Sequence, residues 1–516
     1  MDYTLLFDTF IETHAHLGWP RQRLLHECLR SAIRDGTLAA GTRLASSRTL
    51  ASELNVARNS VLYAYEQLAS EGYVLGDRRG TVVAAIASQV SAEAAAVHAG
   101  TSAASGGALN PAPSLPLSRR ARNLRPVLGP ADTMGAFVPG VPALDAFPLP
   151  LWRRMLERAW RAVTVRQLNY SDPCGEPGLR AAVADYLRAS RGVLCDASQV
   201  LITDGTQSSL DLCARACADD GDTVWIEDPG YAGALAAFRG AGLNVLGIPM
   251  DSEGIAPQAA HWRDAPPKLI YTTPSHQYPV GTVMSLPRRL ALIADARAAG
   301  ALIIEDDYDS EFRHDGPPLP AMQGLAPDAP VLYLGTFSKT MFPALRIGYV
   351  VAPPWLAGPL ADMRAQSSAR GRVAEQLAVA EFVRSGQFAL HLRRMRRLYR
   401  QRRDALQAAL ERYLEGQAVV EGASAGMHLA LRFIDPLLDD QVVTARLLDE
   451  GIVVNALSVH AIGPTPLCQG LMLGYAQVPA EQMEELARRI VRIINQSFCN
   501  SDVAATPQNC FFMKII

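Results

Sequence analysis

An apolar run that passes directly into small hydroxyl residues and a lysine constrains this chain more than any other feature. Val331-Leu-Tyr-Leu334 predicts a buried strand, and the residues Gly-Thr-Phe-Ser-Lys-Thr follow it at once. Thr336 and Ser338 offer hydroxyl groups to a phosphate, and Arg346 offers a guanidinium fork that can bind one through two hydrogen bonds. We therefore predict that Lys339 anchors an aldehyde cofactor covalently, through a Schiff base.

Lys339 taken alone would be an ordinary solvated lysine, so the prediction depends on other segments. Ile202-Thr-Asp-Gly-Thr-Gln-Ser-Ser209 predicts a strand, a tight turn and a helix. Gly205 permits the turn, and the backbone N–H groups of Thr206 and Gln207 open the helix at an end that favours a phosphate. A further apolar run ends in the aromatic residue Tyr231.

The run Ala301-Leu-Ile-Ile304 predicts another buried strand, and acidic residues follow it. Side chains alternate along a strand, so Asp306 and Tyr308 share one face while Glu305 and Asp307 share the other. An acidic cluster by itself is typical of a solvated loop. Its place between the other segments makes Asp306 and Tyr308 candidates for a site.

The order and spacing of these segments resemble the aspartate-aminotransferase-like fold that binds pyridoxal 5′-phosphate (PLP), over residues 132–498. The resemblance implies that Asp306 keeps the pyridine nitrogen protonated and that Tyr308 hydrogen-bonds the 3′ oxygen of the ring. It also implies that Tyr231 stacks on the ring and that His276, in the stretch Pro-Ser-His-Gln, contributes to the same site. In this fold a partner subunit completes the cofactor site, so a homodimer is implied as well.

Residues 132–498 alternate predicted strands and helices in the way that builds an α/β domain with a parallel-rich sheet covered on both faces. A helical region at 373–414 leads from this large domain into a smaller C-terminal subdomain at 419–494. The predicted strands of the large sheet lie at residues 200–203, 223–226, 245–248, 268–272, 301–304, 331–334 and 346–351.

Residues 15–85 contain three predicted amphipathic helices, at 21–34, 48–54 and 58–71, followed by a hairpin. This arrangement resembles a GntR-type winged helix-turn-helix, and the resemblance implies binding to double-stranded DNA. The alternative is a small helical module that binds another protein. A helix-turn-helix and a basic wing that contains glycine, in the same register, favour DNA.

The same resemblance places residues 58–60 at the start of the recognition helix and residues 78–81 at the wing tip, within reach of bases, phosphates or the minor groove. Ser46 or Ser47 is expected to cap the second helix. The family commonly has Ser where Ala57 stands, so the recognition helix lacks its usual cap. The candidate DNA-binding residues are Ser46, Ser47, Arg48, Arg58, Asn59, Ser60, Tyr63, Arg78, Arg79, Gly80 and Thr81.

The remaining composition sets limits on partners and location. Residues 86–131 are rich in Ala, Ser, Gly and Pro, which predicts a linker, and the tail at 499–516 is assigned no role. The net charge is −2, so DNA affinity requires a local basic face. The 8 cysteines are scattered and do not complete a zinc site, so we expect reduced thiols and no metal. Neither a leader nor a spanning apolar run is evident, so we expect a cytoplasmic protein without membrane contact.

A winged helix joined through a linker to an aminotransferase-like domain resembles the MocR family of transcription regulators. The resemblance implies a DNA-binding regulator that senses PLP itself, or an amine or amino-acid effector, through an aldimine at Lys339. The competing hypothesis is a catalytically active aminotransferase with an auxiliary DNA-binding domain. A third is a PLP domain that serves only as a dimer scaffold, but every type of cofactor-contacting residue is still present.

One departure from metabolic aminotransferases concerns the effector. Those enzymes usually hold the amino-acid carboxylate through an arginine near the start of a late strand, and the corresponding stretch Leu467-Cys-Gln-Gly-Leu-Met-Leu-Gly-Tyr475 has none. Gly233 stands where the GABA-responsive member of the family carries a cationic contact. Arg370 or Arg372 could still hold an acidic effector. The departure favours the regulator, with at most weak transaminase activity.

Overall fold

The computed structural model divides the chain into two compact units, residues 1–115 and 116–516. It describes residues 2–77, 80–85, 118, 135–316, 319–326, 328–367, 371–414, 416–464, 466 and 468–504. Arg78, Arg79 and all but one residue of the predicted linker lie outside the described residues.

The first unit is a bundle of four helices followed by a two-stranded antiparallel wing. Its elements are α1 Tyr3–His14, α2 Arg21–Arg34, α3 Ser47–Glu53, α4 Arg58–Ser70, β1 Val74–Asp77 and β2 Gly80–Val83. The three helices predicted between residues 21 and 71 are therefore present, with ends that differ by at most one residue. The helix α1 precedes the predicted start of the domain at residue 15 and packs into the same core.

Burial of apolar side chains holds this unit together. Leu25, Leu50, Val61 and Leu68 are almost fully buried, and Phe7 brings α1 into the same cluster. Each such side chain contributes roughly 1.5 to 3 kcal/mol relative to an exposed position. The core therefore fixes the angle between α3 and α4, on which a helix-turn-helix depends.

Local hydrogen bonds set the ends of these helices. Ser46 caps α3, because its Oγ accepts a hydrogen bond from the backbone N–H of Thr49 at 3.2 Å. Ala57 occupies the N-cap of α4 without a side-chain hydrogen bond, as its sequence predicts. The hydroxyl of Tyr65 donates to the carbonyl of Ala45 at 2.7 Å and ties α4 to the entry of α3.

The second unit contains a mixed sheet of eight strands. These are β3 Val200–Thr203, β4 Thr223–Asp228, β5 Asn244–Asp251, β6 Gly254–Ile255, β7 Leu269–Thr272, β8 Leu302–Asp307, β9 Val331–Thr336 and β10 Gly348–Val351. Their order is β3-β10-β9-β8-β7-β4-β5-β6. The five strands from β9 to β5 in this order are parallel, whereas β10 pairs antiparallel with both neighbours and β6 pairs antiparallel with β5.

Helices cover this sheet and lead into a smaller subdomain. They are α5 Leu149–Ala162, α6 Pro177–Arg191, α7 Thr206–Cys217, α8 Ala232–Gly240, α9 Ala259–Asp264, α10 Leu286–Ala299, α11 Pro354–Ser367, α12 Val373–Arg384, α13 Gln387–Tyr413, α14 Asp440–Asp449 and α15 Met483–Ala504. The helical region predicted at 373–414 consists of α12 and α13. The last helix continues past residue 498, where the tail was predicted to begin.

The smaller subdomain has a four-stranded antiparallel sheet of order β11-β12-β14-β13. Its strands are β11 Ala418–Glu421, β12 His428–Phe433, β13 Asn455–Ala456 and β14 Gly470–Gly474. Residues 135–139 run beside it, since the N–H of Val453 donates to the carbonyl of Ala136 and the N–H of Gly474 to that of Phe137, at 2.8 and 2.9 Å. The fold class predicted from the sequence, an α/β domain with a smaller C-terminal part, is confirmed.

Candidate cofactor-binding site

The pocket lies at the carboxyl ends of the parallel strands, where the loops after β7, β8 and β9 meet. Open α/β sheets bind ligands at this edge because the polar loops of neighbouring strands converge there. Nine of the eleven residues predicted to bind the cofactor line the pocket: Thr206, Gln207, Tyr231, Asp306, Tyr308, Thr336, Ser338, Lys339 and Arg346. Gly205 and His276 lie directly behind this lining.

Lys339 follows β9 and points into the pocket. Its Nζ donates a hydrogen bond to the carbonyl oxygen of Gly140 at 2.7 Å. Burial lowers the pKa of Lys339, while the carboxylates of Asp309 and Asp306 oppose that shift. A lowered pKa raises the fraction of neutral amine near pH 7, and only the neutral amine can attack an aldehyde.

Asp306 is buried at the end of β8 and is only half satisfied. Its Oδ2 accepts a hydrogen bond from the hydroxyl of Tyr271 at 2.8 Å, whereas Oδ1 has no partner among the described residues. Burial raises the pKa of Asp306 to about 7, and the Tyr271 hydrogen bond opposes this. An unpaired buried carboxylate oxygen fits a cationic N–H donor such as a protonated pyridine nitrogen, which would favour the carboxylate form.

One end of the pocket lies between the turn after β3 and the turn before β10. Gly205 has a φ of 96°, and a Cβ there would approach the guanidinium of Arg346 to 3.4 Å. Thr206 then begins α7 with free backbone N–H groups. Arg346 is exposed and has left-handed backbone angles. This donor set of guanidinium, helix N-terminus and hydroxyls suits a phosphate dianion.

Arg372 supports this end of the pocket, a role that sequence reasoning did not assign to it. Its Nη1 donates to the carbonyl oxygens of Leu345 and Arg346 at 2.8 and 3.0 Å. Its Nε lies 3.7 Å from Asp204 Oδ1. Arg372 therefore braces the turn that carries Arg346. Arg370, the other arginine considered for an acidic effector, lies outside the described residues.

Tyr231 begins α8 and forms one wall of the pocket. Its ring centre lies 5.4 Å from that of Tyr278, in an edge-to-face arrangement. The ring also covers Gly233, where a Cβ would approach Tyr231 Cζ to 2.4 Å. A side chain at position 233 would therefore displace the aromatic ring, so glycine is needed for this arrangement.

Tyr308, His276 and Asp309 form a hydrogen-bonded chain beside Asp306. His276 Nδ1 lies 3.1 Å from the hydroxyl oxygen of Tyr308 and 3.0 Å from Asp309 Oδ2. The side chains of His276 and Asp309 are 0% and 1% exposed. Asp309 was not predicted to belong to the site, because the alternation rule stops applying where β8 ends at Asp307.

The pocket contains further residues that the motifs did not reveal. Tyr271, the last but one residue of β7, lies beside Asp306, and Met427 and His428 come from the smaller subdomain. His428 Nε2 donates to the carbonyl of Pro279 at 3.2 Å, and burial holds the pKa of His428 well below its usual value. Tyr271 could have been found as a polar residue near the end of a neighbouring strand. Met427 and His428 carry no local signal.

The opposite face of β8 is structural, as the alternation of side chains predicts. Glu305 accepts hydrogen bonds from the backbone N–H groups of Met322 and Gln323 at 2.9 and 3.1 Å. Asp307 accepts one from Arg191 Nε at 2.8 Å, and both side chains are buried. These contacts anchor the strand from behind, so Asp306 and Tyr308 can face the pocket.

The predicted DNA-contacting residues in the first unit lie at or near its surface. Arg48, Arg58 and Asn59 are exposed, and Tyr63 is 38% exposed. Arg58 Nε donates to Ser47 Oγ at 3.4 Å, which links the start of α4 to the start of α3. Ser60 is half-buried near the start of α4, and Gly80 and Thr81 begin β2 on the wing.

Among the described residues, no helix combines the length and the apolar character needed to cross a lipid bilayer.

Comparisons with known proteins agree with both units. Residues 144–490 match the family "Aminotransferase class I and II", and residues 22–83 match "Bacterial regulatory proteins, gntR family". The chain is 39% identical over 90% of its length to the probable rhizopine catabolism regulatory protein MocR of Rhizobium meliloti, covering 92% of that protein. It is 34% identical to the pyridoxine biosynthesis transcriptional regulator PdxR of Corynebacterium glutamicum, covering 90% of this chain and 93% of the relative.

Solved structures confirm the fold of the second unit. The multiple substrate aminotransferase of Thermococcus profundus superposes with a TM-score of 0.68 at 25% identity, over 74% of this chain and 98% of the other. Membership of the class I and II aminotransferases confirms the prediction of PLP as the cofactor of this domain. With its gntR-type DNA-binding region and a MocR relative aligned along nearly its whole length, the chain belongs to the MocR family of helix-turn-helix transcription regulators.

Proposed function

We propose that this regulator carries PLP on Lys339 and changes its affinity for DNA when a primary amine, or the supply of PLP itself, alters the occupancy of that lysine. The observation that carries the proposal is the lysine Nζ, 2.7 Å from Gly140 O, in a pocket that Asp306, Tyr308 and Arg346 also line. Bound PLP supplies an aldehyde carbon that combines reversibly with a primary amine.

The residues of the pocket divide this work between them. Lys339 provides the nucleophile, and burial favours its neutral form. Arg346 and the N-terminus of α7 would hold the phosphate, and Asp306 would pair with the ring nitrogen. Tyr231 and Tyr278 would exclude water from one side. Lys339 Nζ donates to Gly140 O when it carries no cofactor, and would give up that bond when it holds one.

Gly140 lies on a segment suited to pass this change on. Residues 135–143 follow the predicted linker at 86–131 in the sequence. Hydrogen bonds tie Ala136 and Phe137 to the smaller subdomain, and the N–H of Ala143 donates to the hydroxyl of Tyr399 at 2.9 Å. A bond gained or lost at Gly140 therefore acts on a segment that joins the pocket, the subdomain and the chain leading to the DNA-binding unit.

A homodimer is part of the proposal. Four large apolar or aromatic side chains near the end of α5 and just after it face solvent in the single chain: Trp160, Val165, Leu168 and Tyr170 are 56%, 86%, 68% and 89% exposed. Clustered exposure of this kind marks an interaction surface. A second copy of the chain accounts for it, and two DNA-binding units would then read two half-sites.

The test is a DNA-binding titration with DNA that flanks the regulator's own gene. Affinity should change when PLP, or PLP with one primary amine, is added to the wild-type protein, and should not respond in Lys339→Ala. A ligand shifts the equilibrium only if it binds the two states with different affinities. The control Lys268→Ala removes an exposed lysine and should respond like wild type. Identical responses of wild type and Lys339→Ala would contradict the proposal.

The second candidate function is an aminotransferase with an auxiliary DNA-binding domain, and the complete set of cofactor-contacting residue types favours it. Against it, the arginine among the described residues that line the pocket is Arg346, which the phosphate of bound PLP would take up. Without a second fork an amino acid is positioned loosely, and loose positioning lowers the rate by orders of magnitude. Rapid multiple turnover of amino donors with 2-oxoglutarate, together with DNA binding that ignores PLP and amines, would establish the enzyme instead.

A further inference from the structure

Tyr308 is hydrogen-bonded to His276, which lies behind the pocket, and His276 to Asp309, which also lines the pocket; of these three the proposed function uses only Tyr308. We propose that His276 and Asp309 are positioning residues that aim the hydroxyl proton of Tyr308 into the pocket and thereby set the acidity of the lysine-bound cofactor. This inference rests on the proposed function, because it requires PLP in the pocket.

The hydrogen bonds determine which atom carries each proton. His276 Nδ1 lies 3.0 and 3.2 Å from the two carboxylate oxygens of Asp309 and 3.1 Å from the hydroxyl oxygen of Tyr308. A carboxylate can only accept, so Nδ1 must carry the hydrogen and share it between the two neighbours. The proton of Tyr308 then cannot point at His276. Because Tyr308 lines the pocket, its O–H is directed there.

The surroundings hold the imidazole in this orientation. A Cβ at Gly426 would approach His276 Cε1 to 2.1 Å, and one at Gly281 would approach Nε2 to 2.9 Å, so backbone encloses the ring. His276 Nε2 is buried and has no partner among the described residues. A buried Nε2 without a partner costs less free energy when it is unprotonated, because a protonated Nε2 would leave a buried N–H without a hydrogen bond. The neutral Nδ1–H tautomer satisfies both conditions.

Asp309 contributes through its charge as well as its hydrogen bond. Burial, and then the charge of Asp309, raise the pKa of Tyr308 well above its usual value, so the phenol keeps its proton to donate. The same carboxylate opposes the lowering of the Lys339 pKa. His276, Asp309 and His428 also bring ligand atoms within 4.8 Å of one another. Hydrogen bonds to Asp309 and Tyr308 account for Nδ1 of His276, and one to Pro279 accounts for Nε2 of His428.

The consequence is a shift in a measurable proton equilibrium. A phenol that donates to the 3′ oxygen of PLP stabilises the negative charge there. When that hydrogen bond weakens, the proton shared between the cofactor and Lys339 is retained up to a higher pH. The other ionisable or charged groups that face Lys339 are Asp306, Arg346 and His428, and the substitutions below leave all three in place.

The experiment is a pH titration of the visible absorption band of the PLP-loaded protein. Tyr308→Phe removes the donor and should raise the midpoint by about one pH unit, the size of one lost hydrogen bond. His276→Ala should raise it by about half as much. Asp309→Asn also removes a charge that raises the pKa of Lys339, so its midpoint should rise by less than that of His276→Ala. His276→Asn places an amide N–H where Nδ1 lies and should restore most of the shift. Asp328→Asn, on an exposed carboxylate, should titrate like wild type.

The outcomes separate this inference from the function on which it rests. The positioning role can be judged when Asp309→Asn and His276→Asn bind PLP and Tyr308→Phe shifts the midpoint. If Asp309→Asn and His276→Ala then both titrate like wild type, the positioning role is wrong. An equal loss of PLP, or an equal shift of the midpoint, in His276→Ala and His276→Asn would likewise reduce His276 to packing. If reduction of the wild-type protein places no pyridoxyl group on Lys339, the proposed function itself fails.

Discussion

The cofactor pocket and the recognition helix differ in how far the folded chain fixes their polar groups. In the pocket, Asp306 and Lys339 each bind a named protein atom in a largely buried setting. On the recognition helix, Arg58 and Asn59 are exposed. Buried polar groups must be paired, so the chain determines their geometry, whereas exposed groups take their final geometry from the DNA. Substitutions should therefore act sharply in the pocket and gradually on the helix.

Lys339→Ala gives the largest expected effect. The sequence contains three lysines, Lys268, Lys339 and Lys514, so borohydride reduction followed by peptide mass spectrometry has few sites to distinguish. Wild type and Lys268→Ala should carry a pyridoxyl group on the peptide with Lys339, and Lys339→Ala should carry none. A pyridoxyl group found mainly on Lys268 would contradict the contrast between pocket and surface, since an exposed lysine would then have reacted in preference to the lysine in the pocket.

Arg346→Ala should weaken PLP retention about tenfold to a hundredfold. The variant loses a charge-assisted hydrogen bond to phosphate of about 1.5 to 3 kcal/mol. Equilibrium dialysis against PLP measures the change. Arg215→Ala, which removes an exposed arginine paired with Asp211 on α7, is the matched control. Equal retention in both variants would show that Arg346 does not hold the phosphate.

The rate of PLP attachment should depend on pH in a manner set by burial. Burial lowers the pKa of Lys339, so the neutral, nucleophilic form becomes dominant at a lower pH than in an unstructured peptide. The rate should rise about tenfold per pH unit below that pKa and level off above it. Stopped-flow absorbance on apoprotein checks this against a lysine peptide. If the rate levels off at the same pH as it does for the peptide, Lys339 lies in a solvated environment.

Arg58→Ala tests the other side of the comparison. Loss of a base or phosphate contact at the start of α4 should reduce specific DNA affinity by about 1 kcal/mol or more, with PLP absorbance unchanged. Arg58→Lys keeps the charge and separates a bidentate contact from simple attraction to phosphate. Fluorescence anisotropy at two salt concentrations measures both. If Arg58→Ala binds specific DNA as tightly as wild type, Arg58 does not belong to the interface.

Ala57→Ser has the smallest expected effect and sharpens the local account of α4. The recognition helix has no side-chain cap, and a serine hydroxyl at its N-cap would accept an otherwise free backbone N–H. We expect stabilisation by about 1 kcal/mol, measured by thermal unfolding of the DNA-binding unit. Ala57→Val, which cannot cap, is the control. Equal melting temperatures for the serine and valine variants would contradict the capping argument.

Much of the pocket was predictable because its residues follow apolar strands in local motifs. Lys339 follows β9, Asp306 lies one residue before the end of β8, and Thr206 opens α7 after a glycine turn. The carboxyl ends of neighbouring parallel strands share one edge, so motifs distant in sequence converge there. The DNA-binding helices were predictable for a related reason, since their apolar periodicity determines which face is buried.

Other residues could not be found this way. Gly140, Met427 and His428 reach the pocket from a loop and from the smaller subdomain, and none stands in a motif. Asp309 follows β8, where alternation no longer indicates direction. The predicted strand at 346–351 begins at Gly348 instead, because Arg346 adopts left-handed angles in the preceding turn.

The sequence by itself determined the two kinds of unit, the α/β class and the residues that end the central strands. These features depend on local propensity and on the period of apolar residues, and both act over a few residues of sequence. Only the tertiary structure decided that Asp309 and His276 stand behind Tyr308, that Arg372 braces Arg346, and that Lys339 meets Gly140. These contacts join residues from 26 to 199 positions apart in the sequence. Packing of the whole core, not local pattern, brings such residues within hydrogen-bond distance.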